Sequence, residues 1–542
     1  MKNVILFIVD SVRYYSTGGK DDRDKLSMMD RFAEESIYFP LTVTSAPSSV
    51  MSLSTMLTSL PSYYIARNYD DFRYDNDQFI SLHNILRDNG YDTRSLFNAR
   101  ELRFLFGDVI KHVDKKYWPK GINNNQVNWS NSVMNEILEK FLDSETFKRP
   151  LFFIAWYNIR LDPNTSLLIE EGINILKRNN VWDNSIFLLA SDHGYMDPNR
   201  GYTPEKLEKM GLSHDLLLTD DNIRIPFYLR YPGSPVKKIE QPVSTLDFLP
   251  TILSLLDIKA PQTKTYQMKG KDLTSLINGN SNSIEEFTSR KVRCDARFFA
   301  QADRATAIRG ANYKYIARPD RNVEEFYDLD KDSWERNNII NDINYQNIVE
   351  EYRSEYIKSE KEIIDFQFKY LLSKLDKSLK DKDGLSNIAV LGFGEPYYLD
   401  NISKVMREYW GDNTSIELII NESIADKMNN VNLFSDLHYY NADNFQINYN
   451  NVNNKKMYDQ LIILTDTRNK NKYEKQKEIL LSQISYSKVT FLNPNMEFET
   501  REKTLRDPRL IFRVLKNKRN YYLKNPGMIL HHFVKWFKIV TK

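Results

Sequence analysis

Five residues in this sequence could carry chemistry: Asp10, Ser49, Asp192, His193 and His214. Asp10 ends the apolar run 4–9. A carboxylate at the end of a buried strand is a good ligand for a hard cation, although a solvated loop aspartate is the commoner use. Asp192 and His193 close the segment ASDHG, 190–194, directly after an apolar run. Adjacent on a turn, both can face one point, and a carboxylate with an imidazole suits a magnesium or transition-metal ion. A buried, hydrogen-bonded Asp and His are the plain alternative. His214 stands about ten residues before Arg224 and a further apolar run; a lone histidine is more often structural. The segment TSAPSSVMSLSTMLTSLPS, 44–62, is crowded with hydroxyls. Ser48 or Ser49 would cap a helix there. A hydroxyl in that first turn would also sit where the helix dipole and free N–H groups favour an anionic ester. A nearby metal would lower its pKa. The two uses are compatible.

The elements that must position these groups are legible as an alternation. Apolar runs at 4–9, 151–157, 185–191 and 225–231 read as strands, and 52–60, 80–89 and 167–179 read as helices. This alternation predicts an α/β fold around a parallel sheet. Ligands of such sheets bind at the carboxyl ends of the strands, where Asp10 and Asp192 stand. From about 342 to 382 the chain is strongly charged and reads as a long helix plus linker. Apolar runs at 388–391, 416–420, 461–465 and 489–492 then predict a second, smaller α/β unit, with the Asn-rich stretch 441–454 as a loop. The GFGEP after its first run has a Gly-x-Gly without the full dinucleotide fingerprint. A nucleotide- or sugar-binding Rossmann-like unit and a scaffold that positions the catalytic domain both remain open.

The composition narrows the class. With 542 residues, 41% hydrophobic and 27% charged, the balance is that of a globular protein and excludes disorder as the main state. The length predicts two to four domains. Lys+Arg is 75 against 73 Asp+Glu, a net charge of +2, so no nucleic acid is expected as a partner. The single cysteine, Cys294, allows no internal disulfide and no Cys-based zinc site. No run of 18 apolar residues is present, so no membrane-spanning helix is expected. The run 4–9 is too short for a signal-peptide core and ends in Asp10 and Arg13. The expected address is the cytoplasm. From Arg501 onward there are 12 Lys+Arg against Glu502 and Asp507, so 12 − 2 = +10. Ile529, Phe533, Trp536, Phe537 and Val540 fall on one helical face, with Lys535, Lys538 and Lys542 outside it. Residues 526–542 therefore read as a basic amphipathic helix suited to an anionic membrane surface, peripheral at the inner face. Docking on its own domain is the alternative.

Taken in order, these pieces resemble the sulfatase branch of the alkaline phosphatase superfamily. VILFIVDSVR (4–13) looks like the opening strand with its metal-binding Asp, and LHNILRDNGYDT (82–93) like the helix and Gly-Tyr-x-Thr turn. RPLFFIAWY (149–157) resembles the central strand, and NNVWDNSIFLLASDHG (179–194) is the closest match. IRIPFYLRYPG (223–233), STLDFLPTILSLLDI (244–258), KGKDL (269–273), NYKYI (312–316) and FYDLDKDSWERNNI (326–339) follow in family order. The resemblance implies an alkaline-phosphatase-like parallel or mixed sheet sandwiched by helices over 1–345, with a small closing subdomain at about 290–345. A charged helical linker (346–385), a small Rossmann-like α/β domain (386–495) and the basic tail (496–542) would follow. It further implies one divalent metal ion (Mn2+, Mg2+, Ca2+ or Zn2+) held by Asp10, Ser49, Asp192 and His193. Ser49 would be the nucleophile, and His214 would contact the ester or protonate the leaving oxygen. A second metal held by Asp162 and His214 is a lesser variant.

The family pattern runs hydroxyl-or-Cys, x, Pro, Ser, then Leu, x, Thr, Gly. Counting back nine from Thr58 puts the nucleophile at Ser49 and the motif's serine at Ser52. The other register, Ser45-Ala46-Pro47-Ser48, misplaces Thr58 by four. Sulfatases carry their Cys or Ser in a Pro-and-Arg context that is oxidised to formylglycine; here Met51 replaces that Pro and Leu53 that Arg. Asn98 replaces a lysine, Leu161-Asp162-Pro163 replaces His-x-Pro, and Ser11 stands where many members have a second Asp. These departures look like the branch that uses an unmodified Ser or Thr on phosphoesters, such as phosphoethanolamine and phosphoglycerol transferases. The favoured reading is a metal-dependent hydrolase or transferase of an anionic phosphoester, working on polysaccharide or lipid-linked intermediates. The alternatives are a sulfuric ester hydrolase, with Ser49 or Ser45 as formylglycine, and a non-catalytic scaffold.

Overall fold

β1 (Asn3–Asp10) is buried from Val4 to Asp10, as a strand with no polar residue between Val4 and Val9 must be. In the computed structural model β1 lies between β5 (Leu151–Asn158) and β6 (Ser185–Ser191) and runs parallel to both. The structure describes residues 1–14, 29, 31–65, 80–97, 113–117, 130–144, 149–158, 165–197, 200, 217–261, 268–296, 305–378, 387–393, 399, 403, 406–411, 413–426, 428, 431–440, 447–448, 457–464, 480–481, 483–492 and 498–502. The chain forms two compact units, Met1–Lys369 and Tyr370–Lys542.

The first unit is built on a mixed sheet. Its other strands are β2 (Ile37–Val43), β3 (Asp92–Phe97), β4 (Lys115–Tyr117), β7 (Arg224–Arg230), β8 (Lys237–Lys238) and β9 (Val243–Ser244), in the order β4-β3-β5-β1-β6-β7-β2-β8 with β9 beside β2. The four expected strands are present, but β7 runs antiparallel to β6 and β2, where the alternation pointed to parallel. The cause lies next to ASDHG. Gly194 N–H donates to Asn222 O (2.8 Å) and Tyr195 N–H to Asp221 O (3.0 Å). The connection from β6 thus ends at the edge where it began, so β7 must run back. β2 lies outside the expected strands because Pro40 interrupts its pattern; the ladder absorbs the proline through a register shift between Phe39 and Thr42.

Alternate residues of β1 face two apolar layers. Val4, Leu6 and Ile8 pack with helix α1 (Ser49–Thr58) and the helices Leu82–Asp88 and Phe248–Leu255. Ile5, Phe7 and Val9 pack with the helices Asn131–Ser144 and Thr165–Arg178. Each fully buried aliphatic or aromatic side chain contributes about 1.5–3 kcal/mol, so both faces fix where the carboxyl ends of β1 and β6 must stand. A four-stranded antiparallel sheet completes the unit: β10 (Val292–Ala296), β11 (Ala305–Arg309), β12 (Tyr313–Arg318) and β13 (Val323–Asp328). The first turns of the helix Gln346–Ser378 cover it through Val349 and Tyr352. Cys294 is buried in this sheet, and burial raises its thiol pKa.

The second unit carries its own sheet: β14 (Asn387–Gly392), β15 (Ser415–Asn421), β16 (Asp436–Tyr440), β17 (Ile447–Asn448), β18 (Met457–Leu464), β19 (Ser485–Leu492) and β20 (Phe498–Glu502). Their order is β17-β16-β15-β14-β18-β19-β20. The inner five strands are parallel, with antiparallel edges, in the doubly wound order of Rossmann-like folds. The strand Ile447–Asn448 lies within the Asn-rich stretch read as a loop. The amphipathic segment 526–542 lies outside the described residues. Among the described residues, no helix is long and apolar enough to cross a membrane.

Candidate metal centre

The centre forms where β1, β6 and α1 meet. After Asp10 the chain turns at Ser11, which takes a left-handed φ of 61°. Ser11 Oγ donates to Asp10 Oδ1 (2.9 Å), and its N–H donates to Asp192 Oδ1 (3.1 Å). Asp192 Oδ1 also accepts His193 N–H (2.8 Å), and its Oδ2 accepts the indole N–H of Trp156 (3.0 Å). The Asp192 carboxylate is thus clamped from three sides. Its backbone carbonyl is held too, by the hydroxyls of Thr44 (2.8 Å) and Ser52 (2.6 Å), which tie the β2–α1 connection to the end of β6. Gly194 is required by close approach: a Cβ there would lie 2.1 Å from Asp221 O.

His193 is fully buried. Its Nδ1 lies 2.7 Å from Gly194 O. A carbonyl only accepts, so Nδ1 carries a proton and Nε2 is the nitrogen turned toward the centre. That Nε2 lies 3.1 Å from Ser49 Oγ, 3.7 Å from Asp10 Oδ1 and 3.9 Å from Asp192 Oδ2. Ser49 is the first residue of α1, with Ser48 at the N-cap position in extended backbone. Its Oγ is 3.4 Å from Asp10 Oδ1. One ligand atom each from Asp10, Asp192 and His193 lie within 4.8 Å of one another. Two carboxylate oxygens and an imidazole nitrogen, with a hydroxyl beside them, fit one divalent cation.

Of the sequence-derived candidates, the structure brings together Asp10, Ser49, Asp192 and His193. Ser45 is buried apart from them. Its N–H donates to Thr245 Oγ1 (3.1 Å), its carbonyl accepts Asp295 N–H (2.9 Å), and its Oγ makes no hydrogen bond. His214, Asp162 and Asn98 lie outside the described residues. Sequence reasoning missed Trp156 and the positioning part of Ser11. It also missed a buried ion cluster beside the centre. Arg309 and Lys314 contact Asp220 (2.9 and 3.0 Å), and Arg200 contacts Asp221 and Glu335 (2.9 and 3.1 Å). Lys314 also pairs with Glu335. Burial alone would raise the Asp220 pKa, but the charges of Arg309 and Lys314 outweigh it and lower the pKa well below the carboxylate range. The motifs NYKYI and FYDLDKDSWERNNI supplied Lys314 and Glu335, but pairing over such sequence distances leaves no local signal.

The fold and this constellation define the class, and comparison with known proteins agrees. The Sulfatase family model matches residues 2–158, and the model described as N-sulphoglucosamine sulphohydrolase, C-terminal, matches 210–362. The chain belongs to the sulfatase family of the alkaline phosphatase superfamily. It is similar to an ulvan-active sulfatase of Formosa agariphila, 29% identical over 199 residues, covering 35% of this chain and 36% of that one. It is also similar to lipoteichoic acid synthase of Staphylococcus aureus, 36% identical over 109 residues, covering 20% and 16%. These matches therefore span about a third or less of the curated relatives' own length. In fold it is similar to the phosphonate monoester hydrolase of Agrobacterium radiobacter, with a TM-score of 0.53 and 14% identity, covering 67% of this chain and 96% of that one.

Proposed function

We propose that this protein is a metal-dependent phosphoester hydrolase or transferase that works through an unmodified Ser49. One observation carries most of the weight: Ser49 Oγ lies at the N-terminus of α1, within 3.1 Å of His193 Nε2 and 3.4 Å of Asp10 Oδ1. A divalent ion held by Asp10, Asp192 and His193 would polarise the ester and lower the pKa of the hydroxyl. Ser49 Oγ attacks phosphorus as the bond to the leaving oxygen breaks in line, and the group is held as a seryl phosphate. Water or an acceptor hydroxyl then forms the new P–O bond, and Ser49 Oγ leaves. Free N–H groups in the first turn of α1 favour the negative charge of the phosphoryl group throughout. His214 is assigned the proton of the leaving oxygen.

Support for an unmodified serine comes from Met51 and Leu53, which stand in place of the Pro and Arg that accompany formylglycine. Similarity to a lipoteichoic acid synthase supports the transferase side of the proposal. Sulfate-ester hydrolysis is the second reading, favoured by the longer match to a named sulfatase. The test is turnover of matched aryl phosphate, phosphodiester and aryl sulfate by the metal-loaded protein, beside Ser49→Ala. Phosphoester turnover that disappears in the variant supports the proposal. Sulfate turnover with a formylglycine mass on the Ser49 peptide would replace it.

A further inference from the structure

Four cations and three carboxylates meet beside the candidate centre. Arg200, Arg309 and Lys314 each contact at least one of Asp220, Asp221 and Glu335. The fourth cation, Arg224, contacts none of them through an ion pair. Its Nε–H donates to Pro40 O (2.8 Å), and its guanidinium stacks over the Tyr14 ring at 3.9 Å. Among the described residues, its Nη1 and Nη2 make no hydrogen bond. Burial lowers the Arg224 pKa, as it does for a guanidinium that has lost water without gaining a contacting carboxylate.

Arg224 lines a cavity of about 360 Å³, near the lower end of the range for small-molecule sites. Its walls include Tyr14, Arg224, Lys238, Arg309, Asp330 and Ser333. The other charges there are already engaged or exposed. Lys238 pairs with Glu240 (2.7 Å), Arg309 with Asp220 (2.9 Å), and Asp330 is exposed and accepts from Asn312 Nδ2 (2.7 Å). The cavity lies at the catalytic edge of the sheet. Arg224 opens β7 opposite Val43, the last residue of β2, and Tyr14 follows Asp10 by four residues. In the order β1-β6-β7-β2, Arg224 is two strand spacings from the strand that carries Asp10, or roughly 10 Å.

We propose that this cavity is a second anion subsite. Here the Arg224 fork, beside Tyr14, takes a carboxylate or phosphate borne on a hydroxylated carrier, such as a sugar acid or a polyol phosphate. Two parallel N–H donors match either group bidentately, and Ser333 and Asp330 at the rim suit hydroxyls. The inference rests on the reading of Ser49 as the reacting centre and extends it: the substrate carries a second negative group beside its ester.

The test is calorimetric titration of the full chain with glucuronate and, separately, with glycerol 1-phosphate. It compares the wild type with Ser49→Ala, Arg224→Gln and Arg224→Lys. At least one probe is expected to bind one-to-one, and the probe that binds identifies the source of the anion. Its affinity should stay within about twofold in Ser49→Ala, fall at least tenfold in Arg224→Gln, and fall by less in Arg224→Lys, which keeps the charge but not the fork. Three results would overturn the subsite: no binding of either probe, binding that survives in a folded Arg224→Gln, or binding that Ser49→Ala abolishes. Should Arg224→Gln fail to fold, the Arg224→Lys affinity decides, and an unchanged value counts against the subsite. Failure of the phosphoester reading has a different signature, turnover that Ser49→Ala does not touch, and leaves the titration unaffected.

Discussion

Asp192 with His193 in the first unit and Glu417 with His438 in the second are both buried carboxylate–imidazole pairs, each among parallel strands. Their settings differ. Glu417 and His438 lie within neighbouring strands β15 and β16, with His438 Nε2 3.0 Å from Glu417 Oε2. Tyr458 on β18 donates its hydroxyl to the same oxygen. All three are no more than 6% exposed, and the carboxylate is engaged inside the sheet. Asp192 and His193 lie just past the end of β6, where the N–H groups of Ser11 and His193 are no longer used by the ladder. These two groups clamp the carboxylate from behind. The His193 ring turns its Nε2 toward Asp10 and Ser49. The same residue types form a hydrogen-bonded cluster inside one sheet and a candidate ligand set at the carboxyl edge of the other.

The largest effect that could break this distinction is on cation binding. Asp192→Asn should weaken divalent-metal affinity by more than about 100-fold, while Glu417→Gln should leave it unchanged. Chelator competition with metal quantitation would measure both, and equal losses would erase the contrast. Next is Trp156→Phe, which removes one of the donors that aim Asp192 and should cost roughly 10–100-fold in the same affinity. A value unchanged from wild type would make that hydrogen bond incidental.

A third histidine sharpens the comparison through stability. His83 is buried, with no hydrogen bond at either ring nitrogen, and burial pushes its pKa down to about 3. The folded state keeps it neutral, while the unfolded chain takes up a proton below about pH 6.5. Its folded pKa is depressed, so the stability is full above that pH and is lost progressively as pH falls toward 3. By pH 5 the loss is roughly 2 kcal/mol. His83→Leu should therefore show a smaller drop in melting temperature between pH 7 and pH 5 than the wild type does. An identical drop would mean that His83 has a proton acceptor in solution.

Much of the centre was legible because Asp10, Asp192 and His193 directly follow unbroken apolar runs, and a strand that ends in a polar turn is a local pattern. Counting back from Thr58 brought Ser49 to the same point, and in the fold Ser49 opens the helix that faces them. What could not be read is what register decides. Trp156 reaches Asp192 only because β1 lies between β5 and β6 and brings their ends level. The reversal of β7 depends on hydrogen bonds between 194–195 and 221–222, and the ion cluster joins residues separated by about a hundred positions. Neither leaves a periodicity to detect. Pro40 hid β2 by breaking a pattern that its bulge restores.

The central claim is that Ser49 reacts as serine. The direct measurement is the mass of the Ser49 tryptic peptide from protein loaded with metal and quenched during turnover of an aryl phosphate. The account predicts an unmodified serine mass together with a phosphorylated form, about 80 Da heavier, that vanishes in Ser49→Ala. A formylglycine mass, or turnover that persists at full rate in Ser49→Ala, would contradict it.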